Sequence, residues 1–250
     1  MHSYQNILLT RNASLIAVVE QILPRESSVF ISFSLKPNFQ EKIDLVSFRF
    51  QKSHRIFFAF GGFAKKFEKF ENNCFIVDNL DKNTDYRCYI ELFTETGKII
   101  KTPIRIFRTG SPLGVIVNYH HPKDTIYDFS GRFTCSPSIV KLPSGRILVS
   151  NDYYKRNGGQ NLTKIFYSDD DGVSFHHLCD LYPCFWGKLF IHHNALYMLA
   201  TSTEYGDLII SKSTDEGASF CSPVILMKGG NSLSGGPHKA PMPILRAKGR

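Results

Sequence analysis

The chain has 250 residues and a formal charge of +8, a length suited to one or two domains. Its basic residues are scattered, with acidic neighbours such as Glu68 beside Lys65 and Lys66, which reads as a solvated surface and not as a nucleic-acid stripe. Six cysteines without a C-x-x-C pair exclude a zinc-ligand set and are too few for a disulfide scaffold.

Met1 to Thr10 lacks a basic start followed by a long apolar core, so no signal peptide is expected. Leu15–Val19 is too short to cross a bilayer. Free thiols in a cytoplasmic protein are the expectation, with leaderless export as the alternative. The sequons Asn12-Ala-Ser and Asn161-Leu-Thr matter only in a eukaryotic secretory pathway. No metal, cofactor, membrane or nucleic-acid partner is expected, and the oligomeric state stays open.

No long stretch has helical periodicity, and 21 Phe with 11 Tyr favour strands. Short strands are predicted at Leu15–Val19, Val29–Leu35, Asp44–Gln51, Arg55–Phe60, Cys74–Val77, Tyr86–Phe93 and Lys98–Phe107. Seven short strands with turn signals between them predict a β-sandwich. Phe57, Phe58, Phe60 and Phe63 read as core, with a sticky patch as the alternative. Within Leu80-Asp-Lys-Asn-Thr-Asp-Tyr86 a Leu and a Tyr lie six residues apart, and Tyr86, Cys88, Ile90 and Leu92 then alternate onto one face. Residues 12–110 on this basis resemble a fibronectin type III domain, a resemblance that implies a tyrosine corner and a spacer or binding module.

Ser111-Pro-Leu-Gly114 reads as a linker. Beyond it, residues 111–250 repeat. Ser168, Asp170, Gly172 and Phe175 are spaced S-x-D-x-G-x-x-F, and Ser213, Asp215, Gly217 and Phe220 return the phrase 45 residues later. Each Asp can turn its carboxylate onto its own turn's N–H groups. Each Gly can take positive φ, and each Phe then buries a ring. A single copy reads equally as a plain Asp-Gly hairpin. Ser136-Pro-Ser-Ile-Val is echoed by Ala240-Pro-Met-Pro-Ile, Pro137 mapping to Pro241, Gly145 to Gly249 and Arg146 to Arg250. Lys188-Leu-Phe-Ile aligns with Ser138 onward at an offset of 50. One unit is thus about 50 residues, within the range of propeller blades.

The paired phrases resemble the Asp-box, or BNR, repeat of the sialidase superfamily. The expected fold is therefore all-β: an N-terminal immunoglobulin/fibronectin-like sandwich followed by a partial sialidase-like β-propeller. Two units and the opening of a third would leave the propeller incomplete, as in the front part of a longer protein. The resemblance makes the boxes structural and places the ligand site on loops beside each unit's innermost strand. Those loops carry Arg132, Asp152, Tyr153, Trp186, Lys188, Glu204, Tyr205, His238 and Lys239, polar and aromatic groups that suit a sugar.

By this resemblance Asp152 stands near the family's acid/base, the alternative being a solvated loop residue or cap. Glu204 is a second carboxylate or a surface charge. Trp186, the one tryptophan, is a sugar platform or a buried wedge. The remaining substrate-binding candidates are Arg132, Tyr153, Lys188, Tyr205, His238 and Lys239. The family's first clamp arginine falls on Cys135, a departure that leaves Arg132 as its substitute only if the strand entry differs. What the resemblance implies is a sialidase-like, exo-acting glycoside hydrolase on terminal, possibly sialylated, glycans, incomplete for catalysis within these residues. The rivals are a non-catalytic carbohydrate-binding propeller and an inactive fragment.

Overall fold

A computed structural model describes residues 2–53 and 64–245. The strand expected at Arg55–Phe60, the four-Phe patch, and the echoed Gly249 and Arg250 lie outside the described residues. All six cysteines are free. The chain divides into two compact units, one of residues 8–126 and one of residues 1–7 with 127–250.

Strand β1 (His2–Tyr4) and the helical turn α1 (Ile7–Arg11) open the chain. The 8–126 unit is a β-sandwich. One sheet holds β2 (Ala17–Pro24), β3 (Val29–Leu35) and β6 (Cys74–Val77), ordered β2-β3-β6. The other holds β4 (Ile43–Lys52), β5 (Ala64–Glu68), β7 (Asp85–Thr94), β8 (Ile99–Lys101) and β9 (Arg105–Arg108). Its order is β5-β4-β7-β8, with β9 also pairing β7. The expected strands at 29–35 and 74–77 keep their bounds. The strand expected at Leu15–Val19 starts and ends later, and the one expected across Lys98–Phe107 is two strands. Proline has no N–H for a ladder, and Pro103 lies between them.

The inward residues of both sheets form one core, including Val19, Ile31, Phe48 and Phe107. Tyr86, Cys88, Ile90 and Leu92 are buried in alternation along β7, as a sheet with one face on a core requires. The Tyr86 hydroxyl accepts the Asp81 N–H at 2.8 Å, the tyrosine-corner contact. Residues 111–126 belong to this unit although the sequence placed a boundary at 111. Asp124 returns to Arg105 in an ion pair of 2.6 Å with both side chains 2% exposed. The Tyr119 hydroxyl accepts the Arg108 N–H.

The second unit contains two antiparallel meanders. The first runs β10 (Phe133–Lys141), β11 (Ile147–Tyr154), β12 (Thr163–Ser168) and β13 (His176–Tyr182), and β1 adds a fifth strand on the edge of β13. The second runs β14 (Phe185–His192), β15 (Ala195–Thr201), β16 (Leu208–Ser213) and β17 (Val224–Met227). The sheets pack face to face through Leu148, Ile165 and Leu181 on one side and Leu189, Met198 and Ile209 on the other.

The two meanders match in detail. Each first strand carries a β-bulge, between Cys135 and Ser138 and between Phe185 and Lys188. Ser136 and Trp186 hold the same left-handed conformation at the two bulges, φ 50° and 52°, 50 residues apart.

The two Asp-Gly turns are equally alike. Ser168 donates to Asp170 at 2.6 Å, the Gly172 N–H donates to Ser168 at 2.8 Å and the Ser174 N–H to Asp170 at 2.9 Å. In the second copy Ser213 donates to Asp215 at 2.8 Å, and the Gly217 and Ser219 N–H groups donate to Ser213 and Asp215, each at 2.9 Å. Gly172 and Gly217 sit at φ 90° and 89°, where a Cβ is strained. Phe175 and Phe220 are both buried.

Candidate functional site

The loops singled out in the sequence converge at the end of the second unit where β11 and β15 finish and β14 begins. The Thr203 hydroxyl donates to the Gly159 carbonyl at 2.7 Å, and the Gln160 amide donates to Glu204 at 2.9 Å. These contacts tie the loop after β11 to the loop after β15. His238 meets Trp186 edge to face at 4.2 Å and lies 6.5 Å from Tyr205. Trp186, Glu204, Tyr205, His238 and Lys239 therefore share one neighbourhood.

At its base is Asp152. Sequence reasoning put this carboxyl in a loop, but it ends inside β11 and is 0% exposed. Thr163 donates its hydroxyl to Asp152 Oδ1 at 2.5 Å, and the Trp186 N–H donates to Oδ2 at 2.7 Å. Burial pushes the carboxyl up to about 7, against the hydrogen bonds from Thr163 and Trp186 and the positive charge of Lys239. The ammonium of Lys239 donates to the carbonyl of Trp186 and, at 3.2 Å, to that of Leu199. Burial lowers Lys239 to about 8. The Trp186 backbone is thus held on both sides of its Cα, at its N–H by a carboxylate and at its C=O by an ammonium. Trp186 itself is half-buried.

Two expected site residues are placed elsewhere. Tyr153 is 1% exposed and packs at a tilt against Tyr127, ring centroids 4.5 Å apart, so it belongs to the core. In an alternating strand, Asp152 and Tyr153 face opposite ways, and both faces of β11 are covered here. Arg132 is committed to a two-point ion pair with Asp128, four residues away, and is not drawn to the Trp186 neighbourhood. Lys188, two residues along β14 from Trp186, lies near enough for its charge to lower Lys239, and it also lines an open groove of about 530 Å³ with Ile139 and Ile244.

Sequence reasoning missed a buried ionic group next to this region. Lys164 on β12 pairs with Asp180 on β13 at 3.1 Å with both side chains at most 1% exposed. It also reaches the Tyr127 hydroxyl at 3.1 Å. His177 lies 2.8 Å from Asp180, and the Ile7 N–H donates to Asp180 at 2.7 Å. Burial alone raises a carboxyl, but Lys164 and His177 outweigh it and hold Asp180 low. The one sequence signal was a Lys in an otherwise apolar strand, Thr163-Lys-Ile-Phe.

No family model matches this chain, and no curated protein matches it. Solved structures similar to it include one described as "Myokine structure", 13% identical, covering 38% of this chain and 97% of that chain at a TM-score of 0.32. The FN5 domain of Drosophila Lar is 15% identical over 38% of this chain and 96% of its own, at a TM-score of 0.30. The fibronectin type-III domain of human fibronectin type III domain containing protein 3 is 17% identical over 39% and 91%, at a TM-score of 0.27. At such TM-scores the assignment of an all-β chain with a β-sandwich rests on the strand order itself.

Proposed function

We propose that residues 127–245 are part of an Asp-box propeller whose rim binds a terminal sugar, and that within these residues the rim binds without hydrolysing. The observation that carries this reading is the half-buried Trp186 with its ring set against His238 and Tyr205 next to that imidazole, with Lys239 and Glu204 in the same neighbourhood. An aromatic face with polar groups around it is what a pyranose ring needs: stacking on its C–H face and hydrogen bonds for its hydroxyls. The twin bulges and twin box turns support the repeat on which the propeller reading stands.

The sialidase-like hydrolase is the second reading. One observation favours it: a carboxyl held near 7 by burial has the proton affinity of a general acid. Against it, Asp152 has no exposed surface and both its oxygens are engaged. An acid must come within hydrogen-bond reach of the bond it cleaves. The family mechanism also needs a carboxylate clamp and an activated nucleophile, and Arg132 is held by Asp128.

The test is titration of the full chain with a panel of neutral and acidic glycans, read by calorimetry, alongside a fluorogenic sialoside assay. Binding that Trp186→Ala abolishes, with background turnover, is expected. Turnover lost in Asp152→Ala overturns the binding-only reading. Binding unchanged in Trp186→Ala overturns the site.

A further inference from the structure

A tryptophan at φ 52° is an outlier. The left-handed region is disfavoured for bulky side chains, and such strain persists where surroundings hold it. At the matching bulge of the first sheet the same conformation is held by Ser136, a small residue. At Trp186 the surroundings are specific. Asp152 Oδ2 accepts the N–H at 2.7 Å, and the Lys239 ammonium donates to the C=O. These two groups come from residues 34 positions before and 53 positions after the tryptophan.

We infer that Asp152 and Lys239 are positioning residues, a charged clamp on the Trp186 backbone, one jaw on the N–H before its Cα and the other on the C=O after it, that fixes where the indole stands at the rim. The clamp's use in sugar recognition rests on the reading proposed above; the clamp itself does not. Titratable and charged groups around Trp186 are Asp152 on β11, Cys135 on β10, Cys184 just before β14, Lys188 on β14, Glu204 and Tyr205 after β15, and His238 and Lys239 after β17.

The clamp is charged at both jaws only within a window. Burial places the Asp152 carboxyl at about 7 and Lys239 at about 8. Below the window Asp152 takes a proton, which it can donate to Thr163 Oγ1. The Thr163 hydroxyl meanwhile donates to the Cys184 carbonyl at 3.1 Å. The Trp186 N–H then faces a neutral oxygen, and neutral hydrogen bonds are weaker than charge-assisted ones. Above the window Lys239 loses its charge and the jaw on the C=O weakens in the same way. The indole is held hardest between the two.

Trp186 is the one tryptophan in the chain, so its emission reports this site without labelling. The experiment is acrylamide quenching of the full chain from pH 5 to pH 9.5, without sugar, with far-UV circular dichroism on each sample to register folding. Quenching is expected to be least between about pH 7 and 8 and to rise on both sides. Asp152→Asn is expected to lose the acid limb and Lys239→Met the alkaline limb. His238→Leu is expected to keep both, which separates the clamp from direct quenching by the neighbouring imidazole. A flat wild-type profile overturns the clamp, as do limbs that survive in the two clamp variants or vanish in His238→Leu. If a variant does not fold, the wild-type and His238→Leu profiles decide. A clamp that titrates as expected in a protein that binds no glycan refutes the sugar site and leaves the clamp standing.

Discussion

The two Asp-Gly turns form a matched pair, and replacing their glycines one at a time separates backbone strain from packing. Gly172 and Gly217 share φ within a degree, so alanine meets the same conformational cost at each, about 1–2 kcal/mol. The surroundings differ. A Cβ at Gly172 would meet nothing nearer than Ile147 Cδ1 at 3.9 Å, an ordinary contact. A Cβ at Gly217 would meet Leu148 Cδ1 at 3.0 Å and Leu178 and Leu196 at 3.4 Å. These three leucines lie in or against the core between the two sheets, where overpacking costs about 1–3 kcal/mol. Gly172→Ala is therefore expected to cost about 1–2 kcal/mol and Gly217→Ala about 2–5 kcal/mol. The assay is urea unfolding followed by Trp186 emission, which reports the second unit alone. A shifted midpoint at constant slope marks a change in stability. Equal losses at the two sites would refute the packing argument. A larger loss at Gly172 would also refute the assignment of Gly217 to the sheet–sheet contact.

Other perturbations test other parts of the fold. Lys164→Met leaves Asp180 buried without its cation and is expected to cost about 3–5 kcal/mol in the same unfolding assay; a loss under about 1 kcal/mol would show the pair to be dispensable. Tyr86→Phe removes the acceptor of the Asp81 N–H, with a loss of about 1–3 kcal/mol and faster hydrogen exchange at Asp81 as its signature. Burial lowers His120 from 6.5 to about 4, so the unfolded chain binds its proton first as pH falls. The sandwich is then expected to hold full stability above about pH 6.5 and to lose roughly 3 kcal/mol by about pH 4. A His120→Leu variant whose stability falls as steeply over that range would show that another group is responsible.

The box turns were legible because their chemistry is local. Ser168, Asp170, Gly172 and Phe175 span eight residues, and each hydrogen bond closes within four positions. A residue type that needs positive φ, or that can cap its own turn, announces itself wherever the chain goes. The same holds for Tyr86, whose acceptor contact to Asp81 lies five residues back. It holds too for the alternation along β7, which any one-sided sheet imposes. The 50-residue offset between Ser138 and Lys188 carried the twin bulges, because a repeat in sequence transmits its backbone as well as its pattern.

Tertiary structure decided what local chemistry leaves free. Asp152 and Tyr153 look like rim residues in a polar loop. Their burial is set by Thr163, Trp186 and Lys239 on one face and by Tyr127 on the other. Arg132 was captured by Asp128 within its own turn, and residues 111–126 joined the sandwich through Asp124 and Tyr119. The strand β1 lies nearly 180 residues from its partner Tyr182, and nothing in His2-Ser3-Tyr4 marks it as a sheet edge. Turn geometry is fixed by sterics and hydrogen bonds among neighbours in sequence. The burial of a charged group depends on distant groups that meet it only after the chain has folded, and those decide whether a carboxylate is a catalyst, a cap or one jaw of a clamp.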